Sequence, residues 1–250
     1  MTNLSAAAIG SVATLLALSC VLYFNKPACW SANIRDEGLD TRVRSTVYID
    51  VGANRGDTLK SFYKQKKVDG SNNPLVKLPY TYDPANWKVF AFEADAIHTQ
   101  ELQKLQKQYN FQLYTETAAG IDNNGVQLFL DRAAEKNGYW GTSIVETKND
   151  VTKTNAVQIP SIDFSKWLQN HVTHDDFVVL KMNIEGAEFA ILDKMIQDDT
   201  FCLIDQLFIF YHANIAFQGE NSLANSMPER VKQKSVEPFC KVQILLQSEH

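Results

Sequence analysis

The residues with the clearest chemical meaning are a carboxylate and two glycines near the end of the first apolar segment after residue 45. Val47–Val51 has the β-branched and aromatic composition of a buried strand, and Gly52-Ala-Asn-Arg-Gly56 follows it. Asp57 is placed to N-cap a helix that Thr58 begins. A strand, a glycine turn and a helix N-terminus together predict a small-molecule cradle at the carboxyl end of a parallel sheet.

The acid inside this strand, Asp50, indicates which charge the ligand carries. A dinucleotide-binding turn has the pattern G-x-G-x-x-G, which lets backbone amides crowd a pyrophosphate, but here only Gly52 and Gly56 are present. A carboxylate aimed at the cradle repels a diphosphate and suits an ammonium or sulfonium group, as in S-adenosylmethionine. Glu93 ends the next apolar segment, Lys88–Glu93, where it would accept hydrogen bonds from both ribose hydroxyls. Since an acid there serves NAD equally well, Asp50 is the residue that favours S-adenosylmethionine over NAD.

With these features the chain resembles the FkbM-type S-adenosylmethionine-dependent methyltransferases, over roughly residues 47–212. The resemblance rests on five segments: Tyr48-Ile-Asp-Val-Gly-Ala-Asn-Arg-Gly-Asp-Thr58, Val89-Phe-Ala-Phe-Glu93, Gly141-Thr-Ser143, Ile159-Pro-Ser-Ile-Asp163 and Leu180-Lys-Met-Asn-Ile-Glu-Gly-Ala-Glu188. The last segment is the most specific. The resemblance implies a Rossmann-like sheet of seven strands, S-adenosylmethionine as cofactor and methyl transfer, usually to a hydroxyl oxygen.

Two departures from the family pattern bear on catalysis. The family usually has Asp where this chain has Asn183, which can form hydrogen bonds but cannot take a proton. The family also often has an acid shortly before the histidine that ends the fifth strand, and here the segment is Phe208-Ile-Phe-Tyr-His212. A non-catalytic domain that keeps the fold is therefore an alternative function, and a nicotinamide-dependent oxidoreductase is another.

The candidate cofactor-binding residues are acids and turn residues that follow predicted strands: Asp50, Gly52, Asn54, Gly56, Glu93 and Asp122. The three turn residues would let the backbone approach the methionine part of the cofactor, with Asp50 near its ammonium. Glu93 would hold the ribose. Asp122 is a candidate for the adenine region, with a simple turn aspartate as the alternative.

The candidate catalytic residues are Asn183, Glu185 and His212, at the mouth where a methyl acceptor would lie. A neutral imidazole at His212 suits removal of a hydroxyl proton near pH 7, and a structural histidine is the alternative. Glu185 and Glu188 are spaced so that both point toward a helix N-terminus, where favourable interaction with the helix dipole is the alternative reading. No His, Cys, Asp and Glu cluster has metal spacing, so no metal is predicted.

Strands that alternate with helices predict an α/β fold with a doubly wound, mostly parallel sheet. Val68–Asn86 and Lys136–Asn155 have loop composition. The predicted strands are 47–51, 88–93, 111–119, 177–182, 205–211 and 242–246, with 126–131 in a hairpin with the third strand or its neighbour. The predicted helices are 58–67, 97–109, 162–170 and 187–197.

The N-terminal segment has a different character. Ala6–Phe24 carries no charge and is about 19 residues long, near the length that a helix needs to cross a bilayer. We predict a membrane anchor over residues 1–25, a stalk over 26–45 and a methyltransferase domain over 46–250. A cleaved signal peptide is the alternative. The anchor is favoured because no Lys or Arg precedes the segment and no small-x-small cleavage site follows it.

Charge and cysteine positions narrow the partners and leave the compartment open. A formal net charge of −5 and the absence of a Lys/Arg stripe argue against nucleic-acid binding, so the expected partners are a glycan or small-molecule acceptor and the membrane. Lys26 and Arg35 after the anchor favour a cytoplasmic domain. In the lumen of the endoplasmic reticulum or Golgi, Cys202 and Cys240 could pair, and otherwise they would be buried thiols. The oligomeric state has no sequence signal.

Overall fold

A parallel sheet of six strands forms the centre of the structure. The computed structural model describes residues 45–65, 82–131, 141–146, 156–212 and 221–246, all within the unit Val43–His250. The strands of this sheet are β1 (Thr46–Val51), β2 (Trp87–Glu93), β3 (Gln112–Thr115), β8 (Phe177–Met182), β9 (Gln206–Ile209) and β10 (Gln243–Leu246). The fold is therefore mixed α/β, as the sequence predicts. The resemblance implies seven strands, and the described residues place six in this sheet.

The strand order reverses direction in the middle of the sheet. The order is β10-β9-β8-β1-β2-β3, and each neighbouring pair is parallel. From β1 the chain moves outward through β2 to β3, and from β8 it moves outward the other way to β10. In open α/β sheets, ligands bind outside the carboxyl ends of the strands at such a reversal. Here the reversal lies between β1 and β8.

Helices cover both faces of the sheet because the buried strands are apolar on both sides. The helices are α1 (Asp57–Lys64), α2 (Thr99–Gln108), α3 (Phe164–His171), α4 (Glu188–Gln197) and α5 (Asn221–Lys234). Leu59 and Phe62 of α1 and Leu102 of α2 pack with Tyr48 on one face. Side chains of α3, α4 and α5 pack with Val47, Ile49 and Val51 on the other face. The alternation along β1 thus divides the core into two layers.

The predicted third strand is two separate strands. Gln112–Thr115 joins the main sheet, whereas β4 (Ala118–Gly120) pairs with β7 (Ser161–Asp163) in a two-stranded parallel sheet. The chain turns between them at Glu116, whose φ of 53° is incompatible with a continuing strand. The hairpin prediction was also wrong: β5 (Val126–Phe129) pairs antiparallel with β6 (Ala156–Ile159), a partner more than 25 residues away in the chain.

Two helices differ from the sequence prediction. Asp57 is the first residue of α1 rather than its N-cap, because Gly56 occupies the cap position with a φ of 77°. Helix α5 was not predicted at all. It contains Pro228, which reads as a helix breaker in sequence because proline lacks the backbone N–H. The packing of Met227 and Val231 into the core stabilises the helix in spite of this residue.

Cys202 and Cys240 form a disulfide bond. The bond joins the turn before β9 to the segment before β10, so it lies at the amino ends of these two strands. No helix in the described part of the chain is long and apolar enough to cross a bilayer. The predicted anchor and nearly all of the predicted stalk lie outside the described residues, as does most of the predicted loop Lys136–Asn155.

Candidate functional site

A cavity of about 200 Å³ opens at the carboxyl ends of β1, β2 and β8, where the strand order reverses. The turn after β1, the end of β2 and the segment after β8 form its floor, and Thr142–Ile144 closes one side. Five of the nine residues predicted for the site line it: Gly52, Asn54, Glu93, Asn183 and Glu185.

The turn after β1 is fixed by backbone contacts to the neighbouring strands. The amides of Gly52 and Ala53 both donate to the carbonyl of Phe92, at 3.0 and 2.9 Å. Gly52 has a φ of 83°, and a Cβ there would lie 2.0 Å from the carbonyl oxygen of Asn183. This glycine is therefore required by the close approach of the segment after β8. The turn is held in place before any ligand binds.

Glu93 is held by the same turn. Its side chain accepts hydrogen bonds from the amides of Asn54, at 2.7 Å, and of Asp95, at 2.8 Å. The residue is only 8% exposed, and burial raises the pKa of its carboxyl to about 7, although the two amides act in the opposite direction. Each carboxylate oxygen has a second lone pair that can accept another hydrogen bond. Glu93 is thus a fixed acceptor on the cavity wall.

Asp50 does not line the cavity, contrary to its predicted place near a ligand ammonium. It is fully buried beneath the turn, accepts a hydrogen bond from the hydroxyl of Thr58, and forms an ion pair with Lys181 at 2.9 Å. The register of β1 and β8 explains the pair, because the two residues face each other across the strands. The ammonium of Lys181 also donates to the carbonyl of Gly52, at 2.5 Å. Lys181 therefore neutralises Asp50 and ties both strands to the turn.

Gly56 and Asp122 also lie outside the cavity lining. A Cβ on Gly56 would lie 2.3 Å from the Cδ1 atom of Leu105, so this glycine allows α1 to pack closely against α2. Asp122 accepts a hydrogen bond from the amide of Asn124 at 2.9 Å, and its carbonyl accepts one from Ser161. These contacts are those of a turn aspartate, the alternative that the sequence left open.

Asn183 continues β8 into the cavity. Its amide donates to the carbonyl of Val51 at 3.1 Å, which extends the pairing of the two central strands by one residue. The Oδ1 atom of its side chain is buried and has no hydrogen-bond partner among the described residues. A buried acceptor without a partner is costly, so a ligand donor at this place would be stabilised.

Glu185, Glu188 and His212 form a buried cluster beside the cavity. His212 is 6% exposed, and its two ring nitrogens lie 3.1 Å from Glu188 (Nδ1) and 3.2 Å from Glu185 (Nε2). Burial by itself lowers the pKa of the imidazole, but the two carboxylates outweigh it and raise the pKa to about 9. The ring is therefore an imidazolium at neutral pH, with no lone pair for a proton. This charge state differs from the neutral base that the sequence analysis expected.

Sequence reasoning missed three residues that shape the site. Lys181 was noted only as part of a motif, and its contact with Asp50 depends on strand register. Asp95 is buried and accepts a hydrogen bond from the hydroxyl of Thr142 at 2.7 Å. Ser143 donates to the carbonyl of Glu185 at 2.5 Å. The segment 141–146 thus bridges the ends of β2 and β8. The sequence signal for this bridge was the Gly141-Thr-Ser143 segment.

The ionisable side chains on the cavity wall are mainly acids. Asp57, Glu93 and Glu185 line it, although Asp57 pairs with Arg55 and Lys60, and Glu185 pairs with His212. The one lysine among the described lining residues is already paired with Asp50. Such a wall is unfavourable for phosphate groups and suits ligands that are cationic or that donate hydrogen bonds from hydroxyls. The described residues contain no group of three or more His, Cys, Asp and Glu side chains that could hold a metal ion.

Comparison with known proteins identifies one family. The family model described as "Domain of unknown function (DUF7870)" matches residues 94–230, which is more than half of the chain. The chain belongs to this family. The match begins directly after Glu93 and includes Asn183, Glu185 and His212. No curated protein and no solved structure matches the chain.

Proposed function

We propose that this protein is an S-adenosylmethionine-dependent methyltransferase that methylates a hydroxyl oxygen of a carbohydrate-like or small acceptor. The observation that carries the proposal is the pairing of a rigid glycine turn after β1 with the buried acceptor Glu93 at the end of β2. Both belong to one acidic cavity at the reversal of a parallel sheet. The resemblance to FkbM-type methyltransferases points to the same function.

The topology supports a Rossmann-like fold of the methyltransferase kind. The sheet has β1 in a central position, with β2 and β3 on one side and β8 to β10 on the other. Helices lie on both faces, as in doubly wound sheets. A seven-stranded sheet, which the resemblance implies, belongs to this proposal.

The electrostatics of the cavity favour a sulfonium cofactor over a dinucleotide. A pyrophosphate needs converging backbone amides or a free cation, and the amide of Asn54 is already bonded to Glu93. Lys181 is committed to Asp50 and to the carbonyl of Gly52. Asp50 therefore acts through the structure of the turn rather than by direct attraction of a ligand charge. The carboxylates that line the cavity, not Asp50, favour a cationic cofactor over a pyrophosphate.

The residues present fit an adenosyl cofactor. Glu93 would accept hydrogen bonds from ribose hydroxyls, and the turn at Gly52 to Asn54 would support the methionine part. When bound, the cofactor supplies an electrophilic methyl group on its sulfonium. The protein's task is mainly to hold the acceptor hydroxyl in line with this group, because such a displacement depends strongly on orientation. The buried Oδ1 atom of Asn183 is an acceptor suited to hold a hydroxyl donor.

Membrane attachment and compartment are part of the proposal. The apolar segment Ala6–Phe24 would anchor the domain as a single pass. The Cys202–Cys240 disulfide is typical of an oxidising compartment, so it favours the lumen of the endoplasmic reticulum or Golgi over the cytoplasm. Treatment of intact vesicles with protease distinguishes the two: a lumenal domain is protected until detergent is added, and a cytoplasmic domain is digested.

A second candidate is a membrane-tethered binding domain that has lost methyl transfer. Asn183 stands where the resembled family has an acid, and both ring nitrogens of His212 are engaged by carboxylates. These two observations favour this candidate because neither residue can accept a proton. They leave the features expected to bind the cofactor unchanged.

Incubation with methyl-labelled S-adenosylmethionine separates the two candidates. The full-length protein is offered glycan extracts and lipid extracts as acceptors, and label in the product is counted. The methyltransferase predicts label in one extract, removed by an excess of S-adenosylhomocysteine. Binding of S-adenosylhomocysteine without any labelled product contradicts methyl transfer and supports the binding domain. The absence of both contradicts the two candidates together.

A further inference from the structure

The cluster of Glu185, Glu188 and His212 contains more buried charge than a structural role for a single histidine requires. It brings together three segments: the turn after β8, the start of α4 and the segment after β9. Two of its members are carboxylates within 3.2 Å of one imidazole. Only Glu185 of the three also lines the cavity. The cluster therefore has two buried members, Glu188 and His212, and one member, Glu185, that faces the cavity.

Glu188 is a buried member of the cluster. It is fully buried and accepts hydrogen bonds from the amide of His212, at 2.7 Å, and from the amide of Gly186, at 2.9 Å. It also lies in the first turn of α4, where the helix dipole stabilises a negative charge. Glu188 is thus a fixed anion that fixes the backbone and the ring of His212.

Glu185 is the member of the cluster that faces the cavity. Its φ of 54° is unusual for a residue with a side chain, and its carbonyl is held by the hydroxyl of Ser143 at 2.5 Å. Strained backbone of this kind persists where the surrounding contacts determine it, and it is frequent at functional sites. The ring of His212 then fixes one carboxylate oxygen, Oε1, by a contact of 3.2 Å. The carboxylate is consequently both charged and oriented.

We propose that Glu185 is the residue that meets the acceptor hydroxyl and takes its proton, and that His212 is a positioning residue that holds Glu185. This inference rests on the proposed methyltransferase function and names the roles within it. The O–H bond of the acceptor breaks and its proton passes to the Glu185 carboxylate. A bond forms between the acceptor oxygen and the methyl carbon as the sulfur–methyl bond breaks, and the sulfur leaves as a neutral thioether. Charge and atoms balance because one anion and one cation become neutral together.

The arrangement also selects the class of acceptor. A fixed carboxylate and the Oδ1 atom of Asn183 are both hydrogen-bond acceptors, so each suits a donor on the acceptor molecule. A hydroxyl has one proton and donates to only one of them, so the reacting hydroxyl would donate to Glu185 and a neighbouring hydroxyl to Asn183. A phosphate, sulfate or carboxylate on the acceptor close to the reacting hydroxyl would be repelled by Glu185. The inferred acceptor is therefore a neutral polyol or sugar.

The positioning role of His212 can be tested without any acceptor, by measuring the protonation state of its ring. The ring ¹⁵N signals of His212 are identified by their loss in His212→Gln, and their titration is followed in the full-length protein. We expect both ring nitrogens to carry protons at pH 7.5. In Glu185→Gln the titration midpoint moves down by about one pH unit, because one carboxylate partner is lost. A neutral ring at pH 7.5, or an unchanged midpoint in Glu185→Gln, overturns the role.

The role of Glu185 is tested by transfer of labelled methyl groups to neutral oligosaccharides and to the same oligosaccharides after chemical sulfation. Glu185→Gln should lower the rate by at least about 100-fold, the lower range for loss of a general base. Its matched control is Glu116→Gln, because Glu116 has the same backbone conformation, with a φ of 53°, and lies outside the cavity lining. That control should keep the wild-type rate, and sulfated acceptors should be poor for both proteins.

Binding of S-adenosylhomocysteine separates failure of this inference from failure of the proposed function. Glu185→Gln and His212→Gln should bind it within about twofold of wild type, since neither residue is assigned to the cofactor. If the wild type does not bind it, the proposed function fails. If binding is retained and Glu185→Gln transfers at the wild-type rate, or if sulfated acceptors are preferred, the inference alone is overturned. Binding with no transfer to any acceptor contradicts methyl transfer itself, and the inference fails together with the proposed function.

Discussion

The two ends of the cavity hold their carboxylates in different ways. At the end formed by β1 and β2, Glu93 is bonded to backbone amides and Asp50 is neutralised by a lysine on the neighbouring strand. At the end formed by the segment after β8, Glu185 and the buried Glu188 share the imidazolium of His212, which follows β9. The first end depends on a local turn and on strand register. The second depends on side chains that meet only after α4 and β9 have packed.

This difference separates a binding end from an end suited to proton transfer. Backbone amides cannot change their charge, so the two donors that hold Glu93 are the same at every pH. An imidazolium can lose its proton, so the orientation of Glu185 depends on the charge of His212. The substitutions below each remove one of these supports, in order of decreasing expected effect.

Lys181→Met should cause the largest change, because it leaves the fully buried carboxylate of Asp50 without its counterion. Removal of one partner of a buried ion pair costs about 3–5 kcal/mol of unfolding free energy. Urea denaturation of the full-length protein measures this loss. The exposed Lys107→Met is the control and should stay within about 0.5 kcal/mol of wild type. Equal stabilities for the two variants would show that the pair does not hold the turn.

Glu93→Gln should weaken the binding of S-adenosylhomocysteine by about 10- to 100-fold, which corresponds to loss of hydrogen bonds to a charged group. The amide NH₂ also faces a backbone N–H and loses one of the two bonds that fix the side chain. Titration calorimetry gives the affinity, and Glu101→Gln on the exposed face of α2 serves as the comparison. Unchanged affinity in Glu93→Gln would show that Glu93 does not bind the cofactor.

The stability of the second end should depend on pH through His212. Its pKa is raised from 6.5 to about 9, so the protonated ring stabilises the fold fully below pH 6.5, and this contribution is lost as the pH rises through 9. Unfolding free energies measured from pH 6.5 to 9 should therefore fall in the wild type and fall less in His212→Gln. His171→Gln is the matched control, because the Nδ1 atom of His171 lies 2.7 Å from an uncharged group, the carbonyl of Trp167. A parallel decline in wild type and His212→Gln would contradict the charged cluster.

Asp122→Ala should have the smallest effect on the cavity. The residue belongs to a turn outside the lining, so the affinity for S-adenosylhomocysteine should change by less than about twofold. Loss of its bond to the amide of Asn124 should cost about 1 kcal/mol of stability. Calorimetry and urea denaturation of the same preparation measure both values. A tenfold loss of affinity would show that Asp122 contributes to cofactor binding.

The sequence predicted the binding end well because its signals are local. Val47–Val51 and Lys88–Glu93 have apolar patterns that end in the turn and in the acid, and both strands form within one residue of prediction. Asp50 is the exception, because it lies outside the cavity lining. It alternates with Ile49 and Val51, so it lies on the side of Tyr48 and meets Lys181 only through the register of β8.

The second end could be predicted only in part. The motif from Leu180 to Glu188 located Asn183 and Glu185, but the charge of His212 depends on Glu188, which is 24 residues away in the chain. The resembled family often has an acid shortly before this histidine. Here that place is taken by Phe210, which packs on the imidazole with ring centroids 4.5 Å apart, and the carboxylates come from another segment. No local pattern contains such a contact.

Calorimetric titration of the full-length protein with S-adenosylhomocysteine and, separately, with NAD⁺ tests the central claim most directly. The acidic cavity and the committed lysine predict binding of one S-adenosylhomocysteine per chain, competed by S-adenosylmethionine, and no heat of binding with NAD⁺. Binding of NAD⁺ in preference to S-adenosylhomocysteine would contradict the account.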